Sequence, residues 1–244
     1  MNAMDRYYDT LAGMLKSAFA DQRETLETAA QKIAESVTGG GMVYTFGTGH
    51  GHLLALEIFY RAGGMVRVTP ILDERLMLHL SASESSQWER KNGLAGELME
   101  KYPVKKGDVL IAISNSGRNA VPVELAVQCR KKGAYVIALT SLRHSSAVSP
   151  RNALGLRLFE AADLVIDNRG VLGDACVEGG NKRMVGPTST AVGAALLQGI
   201  VCRAEEIARE NRKAMEFFAS SNIDGGDQIN EAYLEKYRGS IPSL

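Results

Sequence analysis

Five short, mostly apolar runs constrain the fold of this chain more than any other feature of its sequence. They alternate with segments in which apolar residues recur at helical spacing. The predicted strands are MVYTF (42–46), MVRVTPI (65–71), DVLIAIS (108–114), AYVIALTS (134–141) and ADLVIDN (162–168), and the predicted helices cover 52–64, 86–101, 119–132 and 187–213. This alternation predicts an α/β fold, a three-layer α/β/α sandwich around a mainly parallel five-stranded sheet. Near-continuous apolar strands are typical of a sheet that is buried on both faces.

The N-terminal region predicts a long helix. Helical apolar spacing runs over 4–37 and stops at the glycines of 39–41. A helix of about 34 residues would be about 50 Å long, which suggests packing against a second subunit. The alternative is two shorter helices with a bend. Since no repeat or linker interrupts the chain, we predict one domain over 1–244, with the long helix 4–37, a core 42–213 and a C-terminal extension 214–244.

The composition of the chain indicates which partners and which cellular compartment to expect. The 28 Lys and Arg residues balance the 28 Asp and Glu residues, and no basic tail is present, so we expect no nucleic-acid partner. No apolar run approaches the length of a membrane span, so we expect no membrane association. Three widely separated cysteines do not form a disulfide framework, which fits a cytoplasmic protein.

Two strand-to-helix loops have the composition of anion sites. GTGHGH (47–52) follows the first predicted strand, and SNSGRN (114–119) follows the third. Glycines allow a close approach of the backbone, and a helix N-terminus presents free N–H groups. Hydroxyl and amide groups add donors for phosphate oxygens. Because ligands of open parallel sheets bind beyond the carboxyl ends of the strands, both loops are expected at one site.

A nucleotide cofactor is not expected. The first loop departs from G-x-G-x-x-G, because its last glycine comes one position early and His52 takes the required place. No Walker A lysine follows either loop.

The Ser-x-Ser-Gly arrangement after a buried strand resembles the SIS (sugar isomerase) domain family. The resemblance is strongest over 107–141 and extends to the glycine loop 47–52 and to GPTSTAVGAALLQ (186–198). The stretches at 166–168, 173–174 and 221–226 are most similar to SIS proteins of a phosphoheptose-isomerase-like branch.

The resemblance implies a flavodoxin-like sandwich that binds a phosphorylated sugar. The phosphate would be held by the second loop, the sugar would be lined by the first loop, and a third wall would come from the start of the last long helix. The implied residues are Ser114, Asn115, Ser116, Gly117 and Asn119 in the second loop, Thr48, Gly49 and Gly51 in the first, and Thr188 and Ser189 in the third wall. Many members carry serine near the position of Gly51, so this chain lacks one hydroxyl there.

The resemblance also bears on metal. Phosphoheptose isomerases of the family place a His and a Glu one turn apart on the first site helix and bind zinc. Here Glu57 has no His three or four residues away, so we expect no catalytic metal.

Isomerisation needs a base and a group that polarises the carbonyl oxygen. The candidate catalytic residues are Glu57, Glu89, His50 and His79. Glu57 has the alternative of a salt bridge to Arg61 one turn later, and Glu89 that of a solvated acid at the start of a helix.

Each candidate histidine has a different basis. His50 lies in the glycine loop, whereas the resemblance implies that His79 reaches in from a neighbouring subunit. His144 follows the fourth predicted strand, in a loop that we expect to be long and mobile.

The sequence thus predicts a metal-independent aldose–ketose sugar-phosphate isomerase that needs no cofactor. Two alternatives remain open. One is a non-catalytic phosphosugar sensor or regulatory module, although the N-terminal 40 residues are too few, and not basic, to predict the DNA-binding domain that such regulators usually carry. The other is a lyase that cleaves an ether of a sugar phosphate. A homodimer or a homotetramer is expected.

Overall fold

A computed structural model describes residues 1–244, and it confirms the α/β/α sandwich. Five parallel strands form the central sheet in the order β2-β1-β3-β4-β5. The strands are β1 (Val43–Gly47), β2 (Val68–Pro70), β3 (Val109–Ile113), β4 (Tyr135–Thr140) and β5 (Leu164–Asp167). An antiparallel hairpin that the sequence patterns did not predict adds β6 (Ala175–Glu178) and β7 (Met184–Pro187).

Ten α-helices surround the sheet. They are α1 (Ala3–Ala20), α2 (Arg23–Thr38), α3 (Gly51–Glu57), α4 (Ala82–Trp88), α5 (Leu94–Lys101), α6 (Ala120–Lys131), α7 (Leu142–Ser146), α8 (Leu158–Ala161), α9 (Ser189–Glu210) and α10 (Gly226–Tyr237). None of them is both long and apolar enough to cross a membrane.

The strands divide the protein into two cores. Successive side chains of a strand point to opposite faces. Leu110 and Ala112 therefore lie in the core beside α5 and α6, whereas Ile111 and Ile113 lie in the core beside α2 and α9. Both faces exclude water almost completely, since Leu110 is 0% exposed and Ile111 is 1% exposed. Burial of each such side chain stabilises the fold by about 1.5–3 kcal/mol.

The prediction of one continuous helix over 4–37 is wrong, although α1 is itself long. The chain bends at Gln22, whose backbone has left the helical region (φ −130°, ψ 32°). The Gln22 side chain donates to the carbonyl of Asp167 at 2.7 Å and accepts from its N–H at 3.0 Å. Because Asp167 ends the edge strand β5, this amide pairs with backbone groups that have no neighbouring strand there. The two-helix alternative describes the structure.

Two other predicted helices are shorter than expected. The pattern over 52–64 gives α3, which ends at Glu57. The pattern over 86–101 falls into α4 and α5, because Gly93 between them has φ +89°, a left-handed conformation that an α-helix does not accept.

Candidate functional site

The carboxyl ends of the parallel strands enclose a cavity of about 360 Å³. This is the edge at which open α/β sheets bind ligands, and the volume lies in the range of small-molecule sites. Loops after β1, β3, β4 and β5 form its wall, together with the hairpin and the start of α9. The lining residues are Thr48, His50, Gly51, Leu54, Glu89, Ile113, Ser114, Asn115, Ser116, Asn119, Leu139, His144, Asn168, Gly173, Asp174, Pro187, Ser189 and Thr190.

The loop over 114–119 brings hydroxyl and amide groups to the N-terminus of α6. No side chain caps this helix, but its first turn is partly occupied, because the N–H of Val121 donates to the carbonyl of Glu89 at 3.1 Å and Pro122 has no N–H. Asn119 is 8% exposed, and its amide oxygen has no hydrogen-bond partner. A buried amide oxygen without a donor is unfavourable, and a hydroxyl of a ligand would supply that donor. The hydroxyls of the loop suit an anion, and the Asn119 oxygen suits a hydroxyl of the same ligand.

Gly117 gives this loop its shape. Its φ is +58°, and a Cβ atom there would lie 2.8 Å from Oγ of Ser145 and 3.3 Å from Cβ of Leu158. Its N–H donates to Oγ of Ser114 at 3.2 Å. Gly117 does not line the cavity itself; it turns the backbone so that Ser114 and Ser116 do.

Asn115 is held by a residue from the far edge of the sheet. Nδ2 of Asn168 donates to Oδ1 of Asn115 at 2.9 Å, and Oδ1 of Asn168 accepts from the N–H of Gly170 at 2.9 Å. The loops after β3 and β5 are therefore joined by a chain of amide hydrogen bonds across the end of β4.

Asp174 organises the third wall. Its Oδ1 accepts from the N–H of Thr188 at 3.1 Å and from the N–H of Ser189 at 2.9 Å. Its Oδ2 accepts from Oγ of Ser189 at 2.5 Å. Thr188 is fully buried behind the wall, whereas Ser189 faces the cavity. The carboxylate of Asp174, directly before β6, thus caps α9 although it lies 14 residues before Thr188 in the sequence. Its negative charge also stabilises the N-terminus of the helix.

The glycine loop packs tightly against β3. A Cβ atom on Gly51 would lie 3.1 Å from the carbonyl oxygen of Ile113, closer than most real Cβ contacts. A serine here would push α3 away from β3, which gives a physical reason for the glycine. Gly49 has φ +55° and donates its N–H to the carbonyl of Leu76, outside the cavity lining.

The structure separates the four candidate catalytic residues into two pairs. Glu89 and His50 line the cavity. Glu57 does not: its carboxylate contacts the guanidinium of Arg61 and accepts from Nε2 of Gln198 at 3.0 Å, so the salt-bridge alternative describes its contacts. His79 is exposed and lies outside the lining of the cavity.

His144 lines the cavity, although it was not one of the four candidate catalytic residues. The expected long loop is instead the short helix α7, capped by Oγ of Ser141, which accepts from the N–H of His144 at 3.0 Å. Burial lowers the pKa of His144; the negative charge of Asp174 opposes this shift, and the positive charge of Arg118 adds to it. Nδ1 is buried and has no partner. Its position after β4, at the carboxyl edge of the sheet, was the signal that pointed to it.

The arrangement of possible metal ligands in the protein bears on whether it can hold a metal ion. No three His, Cys, Asp or Glu side chains lie close enough together to form a metal-binding group. A structural or catalytic zinc site takes three or four such ligands.

Fold and loop chemistry together match one family. The SIS domain profile matches residues 6–141, which include β1, β3 and the loop over 114–119, and the chain therefore belongs to the SIS domain family. Its full-length relatives are UPF0309 proteins. It is 40% identical over 242 residues to one from Geobacillus thermodenitrificans, covering 99% of this chain and 97% of the relative. It is 41% identical over 239 residues to one from Halalkalibacterium halodurans, covering 98% and 96%.

Solved structures share the fold at low sequence identity. A phosphoheptose isomerase from Neisseria gonorrhoeae aligns with a TM-score of 0.57 at 14% identity, over 83% of this chain and 97% of the other. A protein of E. coli CFT073, solved in complex with a phosphosugar, aligns with a TM-score of 0.51 at 19% identity, over 86% and 94%. At these identities the likeness establishes the fold alone.

Proposed function

We propose that this protein binds a phosphorylated sugar and isomerises it between aldose and ketose forms without a metal. The observation that carries the proposal is the cavity to which Ser114, Ser116 and Asn119 bring hydroxyl and amide groups beside the N-terminus of α6. Hydroxyls and an amide NH₂ are donors that a phosphate dianion requires, and the unpartnered amide oxygen of Asn119 can accept from a sugar hydroxyl. The phosphosugar complex of the E. coli protein supports this choice of ligand.

Glu89 is the proposed base. Isomerisation moves a proton between C2 and C1 of the open sugar, and one carboxylate can take it from one carbon and return it to the other. The intermediate carries negative charge on oxygen, which a hydrogen-bond donor stabilises. His50 and His144 line the same cavity, and burial lowers the pKa of His144, which favours its neutral form. A neutral imidazole donates at one nitrogen and accepts at the other.

We propose that His79 acts in an assembly of subunits rather than within one subunit. His79 is exposed beside Leu80, which is 59% exposed. In the proposed homodimer or homotetramer, His79 would approach the cavity of a neighbouring subunit. Light scattering after size-exclusion chromatography measures the assembly, and a monomer would remove His79 from the proposal.

Proton NMR in D₂O tests the reaction directly. The probes are pentose, hexose and heptose phosphates. Deuterium appearing at C1 or C2, or a new ketose, supports an isomerase. Release of an ether-linked group indicates the lyase instead. Line broadening of one sugar phosphate without any chemistry indicates a binding module.

Two sets of variants test the residue roles. The Ser114→Ala, Ser116→Ala double variant should lose affinity for the sugar phosphate far more than stability, whereas Ser86→Ala on the exposed side of α4 should lose neither. Unchanged affinity in the double variant refutes the phosphate site.

Glu89→Gln should abolish deuterium exchange while binding stays near normal. Glu84→Gln, on the same helix but exposed and outside the cavity, should exchange normally. Exchange at the normal rate in Glu89→Gln removes Glu89 as the base.

A further inference from the structure

Three arginines lie next to residues that line the cavity, at what we call its rim, and none of the three is itself a lining residue. Arg118 lies in the loop over 114–119, directly before the lining residue Asn119. Arg151 is fixed beside it, because the N–H of Arg151 donates to the carbonyl of Arg118 at 2.7 Å. Arg90 follows the lining residue Glu89. The backbone thus brings three arginines that are far apart in sequence to the same side of the cavity.

Backbone contacts hold the segments that carry these arginines. Asn119 and Arg151 form an isolated parallel bridge. The carbonyl of Glu89 accepts from the N–H of Val121 at 3.1 Å, which joins the end of α4 to the first turn of α6. The rim is therefore built on the same helix N-terminus as the proposed phosphate site.

The side chains are close enough to affect one another. The positive charges of Arg118 and Arg90 lower the pKa of Arg151, and the negative charge of Glu89 partly opposes them. The charge of Arg118 also reaches His144 in the cavity. The arginines therefore share their surroundings with two carboxylates, those of Glu89 and Asp174.

No salt bridge engages the cluster. Ion pairs elsewhere in the chain engage other arginines and lysines, but none includes Arg90, Arg118 or Arg151. Nε of Arg118 is buried and has no hydrogen-bond partner. Like charges held together repel, and a buried guanidinium N–H without an acceptor is unfavourable. An anion that bridges the arginines would remove both costs.

We propose that Arg90, Arg118 and Arg151 form a second anion subsite, so that the substrate is a phosphosugar with a second acidic group. This inference rests on the proposed function, in which the serine loop holds the first phosphate. The second group is a carboxylate or a second phosphoryl group, since guanidinium groups bind both through paired hydrogen bonds. A nucleic acid is not favoured, because the cluster is confined to a cavity rim on a chain with no net charge.

Matched ligands test the proposal with the full-length protein. Dissociation constants are measured by calorimetry for glucose 6-phosphate, 6-phosphogluconate, fructose 6-phosphate and fructose 1,6-bisphosphate. The first pair differs by a carboxylate and the second by a phosphoryl group, so the pairs distinguish the two sources of charge. The member with the second acidic group should bind about tenfold more tightly at low ionic strength in at least one pair. Added salt should shrink that difference.

The variant Arg118→Gln, Arg151→Gln should abolish the preference while changing the affinity for the singly phosphorylated partner less than about threefold. Both substitutions keep the backbone hydrogen bonds that fix the rim. Arg238→Gln, an exposed arginine at the end of α10 without an ion pair, controls for net charge.

Equal affinity within both pairs, or a preference that survives in the double variant, overturns the subsite and leaves the phosphosugar proposal standing. Failure of the proposed function looks different. In that case no sugar phosphate binds, or the affinity for a singly phosphorylated sugar is insensitive to loss of Ser114 and Ser116, and the subsite falls with it.

Discussion

Replacement of Asp174 tests how the third wall of the cavity is held. The carboxylate accepts from two N–H groups and two hydroxyls at the start of α9, at distances of 2.5–3.3 Å. Loss of a capping acceptor costs about 0.5–2 kcal/mol, and loss of a negative charge at a helix N-terminus about 0.3–1 kcal/mol. Removal of the side chain should therefore cost about 1–3 kcal/mol.

The backbone of Asp174 adds a second, separable contribution. Its φ is +70°, a left-handed conformation that Gly, Asn and Asp adopt more readily than Ala. Asp174→Gly removes only the cap, whereas Asp174→Ala removes the cap and adds about 1–2 kcal/mol of strain. Asp174→Asn keeps one acceptor oxygen and loses the charge. The expected order of stability is wild type, Asn, Gly, Ala.

Urea unfolding followed by far-ultraviolet circular dichroism measures these differences. The dependence of the free energy of unfolding on urea should stay constant, so that shifts in midpoint report stability. Affinity for a sugar phosphate should fall in parallel, because Ser189 loses the group that orients its hydroxyl. If Asp174→Gly unfolds within about 0.3 kcal/mol of the wild type, well below the cost expected for a lost cap, the carboxylate is not the cap of α9.

Three further perturbations test the loop, the acid stability and the buried histidine. Gly117→Ala should lose about 1–3 kcal/mol and most of its affinity for phosphate, because of its positive φ and the 2.8 Å approach to Ser145, whereas Gly13→Ala in open space on α1 should be neutral or stabilising; equal effects would refute this reasoning. The hydrogen bond from Arg75 holds the pKa of Asp73 below 3.8, so its stabilisation is complete above about pH 4 and is lost as the pH falls through the lower folded value; Asp73→Asn should flatten the acid limb of a plot of urea midpoint against pH. The imidazole NMR signal of His144 should titrate below pH 6.5, and a midpoint at or above that value would contradict its burial.

Local patterns in the sequence were enough to predict the α/β/α architecture and the anion-binding character of the loop over 114–119. Strand identity followed from apolar runs, since each residue of β3 is buried whichever face it points to. The glycine and hydroxyls of 114–119 belong to one short segment, so their joint position after a strand is independent of the rest of the fold. For the same reason, the residues of this loop and of the glycine loop were foreseeable at one edge of the sheet.

Whether Glu57 or Glu89 lies at the cavity depended on tertiary contacts, which no local sequence pattern encodes. Glu57 and Glu89 were both candidate bases in the sequence, but Gln198 lies beside Glu57 and the cavity beside Glu89. Gln198 is 141 residues from Glu57, and only the packing of α3 on α9 brings them together.

The sequence by itself determined the layers of the fold and the chemistry of the loop after β3, because both follow from residues within one turn or one strand of each other. The tertiary structure decided the bend at Gln22, the cap of α9 by Asp174, the placement of His144 in the cavity and the arginine rim. Each of these depends on side chains that meet only after parallel strands have brought their carboxyl ends together. Hydrogen bonding and charge act over a few ångströms in space, so their partners are set by the fold rather than by distance along the chain.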